Sequence, residues 1–300
     1  MCGIVGLFIK NPKLESQLGE WVAPMLMQMS ERGPDSAGIA VYRDPVGEGE
    51  VKLTVVSDAP EYDWSGLANG LQRTFGQDSA CRPWVNHAVV TANTTADTLQ
   101  DWLLTQHPKL RITSSGNTIE IYKEKGAPGE FIERFQLREL AGSHAICHTR
   151  MATESAVTTE HSHPFSTGLD LCLVHNGSLS NHNRLRAMLQ RQGVIFQTDN
   201  DSEVAAGYLM WRLREGATLE EALEDALKDL DGFYTFAIGT RDGFAVLRDP
   251  FGCKPAILAE TDDWAAMASE FRAIATLPGV ENAKIWEPVP EQIYSWSRGG

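Results

Sequence analysis

The chain has 300 residues with 42% hydrophobic and 22% charged content, enough for a sizeable core and too well mixed for disorder or collagen-like repetition. Lys and Arg number 26 against 40 Asp and Glu, and the net charge of −14 argues against nucleic acid or anionic lipid as the main partner. No apolar run approaches the roughly 18 residues of a membrane-spanning helix, and MCGIVGLFIKN has no basic stretch ahead of its short apolar one, so no signal peptide and a cytoplasmic address are expected.

Cys2 to Ile9 reads as a strand. Gln17 to Met29 reads as an amphipathic helix, with Leu18, Trp21, Val22, Met25, Leu26 and Met29 at helical spacing. Glu31 to Gly38 is a loop broken by Gly33 and Pro34, and Ile39 to Arg43 with Val51 to Ser57 are expected as a strand pair around a polar turn. The stretch from about 58 to 135 changes character. A strand over Val85 to Ala92, a helix with Leu99, Trp102 and Leu103 on one face, and a two-strand unit around Ser115-Gly116-Asn117 predict a small α+β insertion in an otherwise single domain over 1–300. Ser143 to Met151 and Leu169 to His175 are expected strands, the second ending at Asn176-Gly177, with Ser180 placed to cap the next helix. Thr218 and Glu221 have capping-box spacing ahead of Leu219, Ala222, Leu223, Ala226, Leu227 and Leu230. Asp242-Gly243 marks a hairpin between Phe233 to Thr240 and Phe244 to Asp249, and Ala256 to Glu260 with Ala265 to Ser269 add two more strands. Strand runs mixed with a few amphipathic helices predict an α+β fold of antiparallel sheet layered with helices.

The cysteines are Cys2, Cys81, Cys147, Cys172 and Cys253, and none forms a C-x-x-C pair, which argues against zinc, iron–sulfur or disulfide frameworks. Four are expected to be small core fillers. Cys2 stands apart, because removal of Met1 would leave a residue that carries both a thiol and its own α-amine. With reference pKa values of roughly 8.5 and 7.7 to 8.0, the amine can accept the thiol proton near neutrality, so nucleophile and base come in one residue. His148, His161, His163 and His175 lie near one another in sequence but lack ligand spacing, and no metal is expected.

MCGIVGLF at the start, ERGPDSAGIA at 31–40, HTRMAT at 148–153, HSHP at 161–164, VHNGSLSNH at 174–182, TDNDSEV at 198–204, LRDPFGCKP at 247–255 and ASE at 268–270 occur in one order. Together they resemble the class II glutamine amidotransferases, and the resemblance covers most of the chain apart from the insertion. It implies the four-layer αββα sandwich of the amino-terminal-nucleophile (Ntn) hydrolases. It implies also that Cys2 attacks the side-chain amide of L-glutamine to form a thioester, while the Asn176 side chain and the Gly177 amide stabilise the oxyanion. Arg150 and the hydroxyl of Thr153 would take the substrate carboxylate, Asp201 the substrate ammonium, and Arg32 would stand behind the nucleophile as a supporting cation. On the residues alone, Asn176-Gly177 is equally an ordinary turn, Arg150 a surface ion pair and Asp201 a helix cap. Arg248, Asp249, Pro250, Gly252 and Lys254 read as a structural hairpin end. Met151 and Glu154 depart from the family, many of whose members carry Trp and His or Asn there.

Only about 30 residues follow the last motif, and no phosphate-cradling Gly-rich loop is visible. The expected role is therefore an ammonia-supplying subunit of a hetero-oligomeric synthase, similar to the glutaminase component of glutamate-synthase-like assemblies including N-methylglutamate synthase. No cofactor is expected on this chain, with flavin and iron–sulfur centres on partner subunits. Two alternatives stay open: a free-standing γ-glutamyl amidase or peptidase using the same Cys2, and a catalytically silent glutamine-binding subunit.

Overall fold

Strand β1 (Gly3–Ile9) serves two cores at once, Val5, Leu7 and Ile9 pointing to one side and Ile4 and Phe8 to the other, as the two-residue period of a strand dictates. The computed structural model describes residues 2–59, 61–151 and 157–298. The further strands are β2 (Ser36–Tyr42), β3 (Glu50–Ser57), β4 (Ala80–Trp84), β5 (His87–Asn93), β6 (Leu110–Gly116), β7 (Ile119–Lys125), β8 (His144–Arg150), β9 (Phe165–Ser166), β10 (Cys172–Leu179), β11 (Gly232–Thr240), β12 (Gly243–Arg248), β13 (Ile257–Glu260), β14 (Trp264–Ala268), β15 (Lys284–Trp286) and β16 (Tyr294–Ser297). The helices are α1 (Leu18–Met27), α2 (Trp64–Phe75), α3 (Ala96–Gln106), α4 (Pro128–Arg134), α5 (His182–Arg191), α6 (Asp201–Arg214), α7 (Leu219–Asp229) and α8 (Phe271–Ile274).

Among the described residues a seven-stranded sheet runs β15-β13-β14-β1-β8-β2-β7 and a five-stranded sheet β16-β12-β11-β10-β9, every strand pair in both being antiparallel. Helices α1, α4 and α8 cover the outer face of the first, burying Leu18, Val22, Phe131 and Ile274 against Val5, Ile39 and Cys147. The two sheets meet face to face through Ile4, Tyr42, Ile146, Val174, Ala237 and Phe244. Helices α5, α6 and α7 close the second sheet, with Leu185, Leu209 and Leu223 against Leu173 and Phe236. This is the α+β fold that the strand and helix pattern predicts, in the four-layer αββα arrangement that the resemblance implies.

The strand pair expected from residues 39–57 does not form. β2 lies between β8 and β7 in the large sheet, whereas β3 lies between β5 and β6 in a separate sheet of order β4-β5-β3-β6. Both strands are buried along nearly their whole length, so the hydrophobic pattern identifies them as strands but does not choose their partners. The extra subdomain accordingly opens at β3 and closes at β6, with α2 and α3 packing Leu67, Leu71, Leu99 and Leu103 on Leu53, Val55 and Val90. The two-strand unit around Gly116 is also divided, since β6 stays in the small sheet and β7 pairs with β2 in the large one.

Three smaller expectations change. Cys147 and Cys172 are core residues, but Cys81 is half-buried and Cys253 exposed. Asn181, not Ser180, occupies the cap position of α5, and the Ser180 hydroxyl donates instead to the Asp231 carbonyl at 3.1 Å. β10 does not stop at His175 but continues through Asn176 and Gly177 to Leu179, pairing Asn176 with Thr235 and Gly177 with Tyr234. The capping box of α7 forms as read, Thr218 Oγ1 accepting from Glu221 N and Glu221 Oε2 from Thr218 N.

Candidate active site

Cys2 sits at the head of β1, which is bracketed by β8 on one side and β14 on the other. The register sets Gly3 beside Thr149 and Val5 beside Ala268, so the HTR and ASE motifs arrive at the cysteine from opposite flanks. Arg32 Nε donates to the Cys2 carbonyl at 3.0 Å, and its Nη1 is paired with Glu270 at 2.7 Å. The cation thus holds the main chain of the cysteine and shares its charge with a carboxylate. Asn176 Nδ2 donates to the same Cys2 carbonyl at 3.2 Å and to Ser269 Oγ at 3.2 Å, while Ser269 Oγ accepts from Ile4 N at 2.9 Å. The Cys2 thiol lies 3.9 Å from the Met151 carbonyl oxygen.

The thiol opens into a cleft of about 340 Å³ whose lining includes Arg150, Met151, Gly177, Ser178 and Asp201. Arg150 ends β8 and is buried. Asn176 faces the Cys2 main chain and Gly177 the cleft itself. Gly177 has φ +149 and an added Cβ would stand 1.7 Å from the Phe233 carbonyl oxygen, so a side chain there would break the β10–β11 pairing. Asp201 opens α6 but does not cap it; Asn200 does, its Oδ1 accepting from Ser202 N at 2.8 Å. That leaves the Asp201 carboxylate free to turn toward β10, where it accepts from Leu179 N at 2.9 Å and lies 3.7 Å from His175 Nδ1. Burial works to raise its pKa, and the His175 contact and the Leu179 amide outweigh it, pushing the group down to about 2. Asp199 instead stands at the rim, paired with His161 at 3.0 Å. Glu203 orders the approach to α6, accepting from Gln197 N, Thr198 N and Thr198 Oγ1. Thr153, with Glu154, lies outside the described residues.

Beneath the cleft is a polar cluster that joins three of the histidines set aside as metal ligands, His148, His163 and His175, to Ser202, which the sequence reading did not single out. Ser202 Oγ bridges His163 Nε2 at 2.8 Å and His175 Nδ1 at 3.0 Å, the His163 ring lies 4.0 Å from that of His148, and His148 Nε2 reaches Asn176 Oδ1 and the His175 carbonyl, both at 3.2 Å. Burial pushes His148 down to about 3 and His163 well below the usual imidazole range. Among the described residues no group of three or more His, Cys, Asp and Glu is arranged to hold a metal. Ser202, Ser269, Glu270 and His148 all fall inside recognisable motifs, and their order along the chain was the available signal. A larger cleft of about 500 Å³, where the extra subdomain meets residues 157–160, is lined by none of these residues.

Residues 148–276 match the family described as the glutamine amidotransferase domain. The chain is 52% identical to the glutamine amidotransferase-like protein GlxB of Rhizobium meliloti, across 99% of this chain and 98% of that one. A relative from Methanothermobacter thermautotrophicus is 34% identical across 98% of this chain and 99% of its own length. Among solved structures, the glutamine phosphoribosylpyrophosphate amidotransferase of B. subtilis, complexed with ADP and GMP, matches with a TM-score of 0.63 over all of this chain and 48% of that one, and at 22% identity this likeness speaks for the fold alone. End-to-end likeness to two relatives, on a four-layer sandwich that opens with a cysteine at the mouth of a cleft, places this chain among the class II glutamine amidotransferases.

Proposed function

We propose that this chain is a glutaminase subunit that hydrolyses L-glutamine to L-glutamate and ammonia and passes the ammonia to a synthase partner of glutamate-synthase type, such as an N-methylglutamate synthase. The observation that carries the reading is a single cleft lined by Cys2, Arg150 and Asp201 together, residues that supply a thiol, a guanidinium and a carboxylate. Free glutamine carries an α-carboxylate, an α-ammonium and a reactive amide, and these three groups answer them. Flavin and iron–sulfur centres belong to partner subunits in this proposal, and the assembly is cytoplasmic.

After loss of Met1, the Cys2 amine takes the thiol proton and sulfur attacks the glutamine amide carbon. The oxyanion is received by the Gly177 N–H and by Asn176 Nδ2, one of whose two hydrogens turns to it from the Cys2 carbonyl or from Ser269 Oγ. Collapse breaks the carbon–nitrogen bond, and the proton on the Cys2 ammonium goes to the departing nitrogen as ammonia leaves. Water, deprotonated by the same amine, then cleaves the γ-glutamyl thioester and returns the thiol. Arg150 holds the substrate carboxylate through parallel hydrogen bonds with help from Thr153, Asp201 takes the ammonium, and Arg32 fixes the carbonyl of the nucleophile's own residue.

The test is intact-mass and peptide-mapping mass spectrometry before and after treatment with a diazo-ketone glutamine analogue. A single adduct on Cys2, with Met1 absent, is expected, and Cys2→Ala should abolish ammonia release while still binding glutamine. Release at the parental rate from Cys2→Ala would remove Cys2 as nucleophile. Full partner-free turnover of γ-glutamyl amides, unchanged when a copurifying subunit is added, would overturn the subunit assignment in favour of a free-standing amidase. A processed chain that takes no adduct would leave a silent glutamine-binding subunit.

A further inference from the structure

We infer that His148 is a positioning residue for the glutaminase step, acting through Asn176: it fixes which end of the Asn176 amide faces the nucleophile. The inference rests on the proposed glutaminase reading. It starts from a weakness in any asparagine used as an oxyanion donor. The terminal amide torsion is broad and roughly two-fold, and rotation by half a turn exchanges a donor for an acceptor of the same shape. A flipped Asn176 would present oxygen to the developing oxyanion and repel it.

Two main-chain carbonyls settle the orientation, because a carbonyl can only accept. On one side the Cys2 carbonyl lies 3.2 Å from Asn176 Nδ2, so the amino end must face the nucleophile. On the other side the His175 carbonyl lies 3.2 Å from His148 Nε2, so that ring nitrogen must carry the proton, and it then also donates to Asn176 Oδ1 at 3.2 Å. Ser269 Oγ, occupied with the Ile4 amide, takes the second contact of Nδ2 at 3.2 Å. The amide is therefore held at both ends, and only His148 gives a donor to the oxygen end among the contacts described.

The ring is suited to that duty. Nδ1 of His148 is buried and has no hydrogen-bond partner among the described residues, so a second proton would create an uncompensated buried charge and the imidazole stays neutral with Nε2 protonated. Its pKa, driven by burial to about 3, agrees. The ring plane is set by His163, packed 4.0 Å away and itself tied to Ser202. His148 belongs to β8 of the large sheet and Asn176 to β10 of the facing sheet, so the bond also spans the interface between the two sheets.

The experiment is a kinetic double-mutant cycle for glutamine hydrolysis, with His148→Phe, which keeps a flat ring and removes the donor, and Asn176→Ala. Asn176→Ala should lower kcat by about 10² to 10³-fold, as loss of one oxyanion donor does. His148→Phe should lower kcat by about 10 to 10²-fold, below that full loss, with the KM for glutamine nearly unchanged. His148→Gln, whose amide can still donate to Oδ1, should recover most of the rate. In the Asn176→Ala background His148→Phe should cost nothing further, because it has nothing left to orient. Equal losses in both backgrounds would make His148 a merely structural residue and overturn the inference, as would a full rate for His148→Phe while Asn176→Ala is impaired. A full rate for Asn176→Ala would overturn the oxyanion reading and this inference with it. Should His148→Phe not fold, His148→Asn, too short to reach Oδ1 but still polar, enters the same cycle and is read by the same outcomes.

Discussion

Where the extra subdomain joins the large sheet, Lys52 of β3 and Glu120 of β7 are each 2% exposed and paired at 3.1 Å, the lysine also donating to the Thr118 carbonyl and the glutamate accepting from the Tyr122 hydroxyl. Under the cleft, by contrast, the buried rings of His148, His163 and His175 each keep one nitrogen without a hydrogen-bond partner among the described residues. The first arrangement closes on itself, each charge answered by protein, and it fastens one sheet to another. The second leaves polar capacity unspent, at a cost a folded chain seldom accepts without a use. These two arrangements of buried polar groups should respond to substitution in different measurements, the closed pair in stability and the histidine cluster in turnover.

Lys52→Met should produce the largest stability effect. It takes from buried Glu120 its lysine partner while Arg43 stays at 3.4 Å and Arg82 at 3.7 Å, so the cost should approach but not exceed the about 3 to 5 kcal/mol of a fully broken buried pair. Urea denaturation measures this, and the KM for glutamine should stay put. A Lys52→Met protein of normal stability with a raised KM would erase the distinction between seam and site. Asp201→Asn should behave in the opposite way. Removing the charge proposed to receive the substrate ammonium should raise the KM for glutamine by about 10²-fold, equivalent to about 2.7 kcal/mol. Steady-state kinetics on glutamine decides it, and an unchanged KM would take Asp201 out of the site.

Acid titration sharpens the comparison further. His87 is buried, and burial together with the Lys123 charge pushes it down to about 3. Its Nδ1 faces Asn86 Oδ1 at 2.9 Å and its Nε2 accepts from Lys123 N at 3.4 Å, so the second proton has no place to go. A histidine whose folded pKa lies below its unfolded value of about 6.5 gives stability that is complete above about pH 6.5 and is lost as the pH falls toward 3. The slope is about 1.4 kcal/mol per pH unit for each such ring. Asp201, depressed to about 2, keeps its contribution down to about pH 4 and loses it only below that. Stability measured by denaturation from pH 7 to 4 should therefore fall from the histidines first, and His87→Gln should remove one proton's worth of slope. An unchanged slope in His87→Gln would mean that His87 does not stay neutral in the folded protein.

Much of this was legible in the sequence because the candidate site residues cluster in short motifs. Cys2, Arg150, Gly177 and Asp201 come to one cleft, with Asn176 against the Cys2 main chain and Arg32 on its carbonyl. What failed were partner choices. β2 and β3 are adjacent in sequence and buried on both faces, and nothing local says that each pairs with strands far along the chain. Asn176-Gly177 looks like a turn because both residue types favour one, yet β11 pairs across them and the strand runs on. Ser180 looks like a cap because a hydroxyl precedes a helix, but the Asp231 carbonyl claims it. His148 and Ser202 could be named from their motifs, but their duties depend on contacts made between sheets.

Two neighbouring helices give the smallest and cleanest contrast. At α6 the cap is Asn200 and the next residue, Asp201, faces the cleft, so capping and the site are entangled. At α7 Thr218 and Glu221 form a reciprocal capping box and neither residue lines the cleft. Thr218→Ala strips the acceptor from the Glu221 amide and leaves the rest of the helix in place. The expected cost is about 1 kcal/mol, read as a shift of the urea midpoint at constant slope, with kcat and KM for glutamine unmoved. Since α7 packs Ala222, Leu223 and Ala226 on the outer side of the sheet that carries Asn176, a fall in kcat in Thr218→Ala would show that this layer transmits strain to β10. A stable protein with unaltered turnover would instead confirm that the geometry of the cleft is set from within the sandwich, by the contacts between its two sheets.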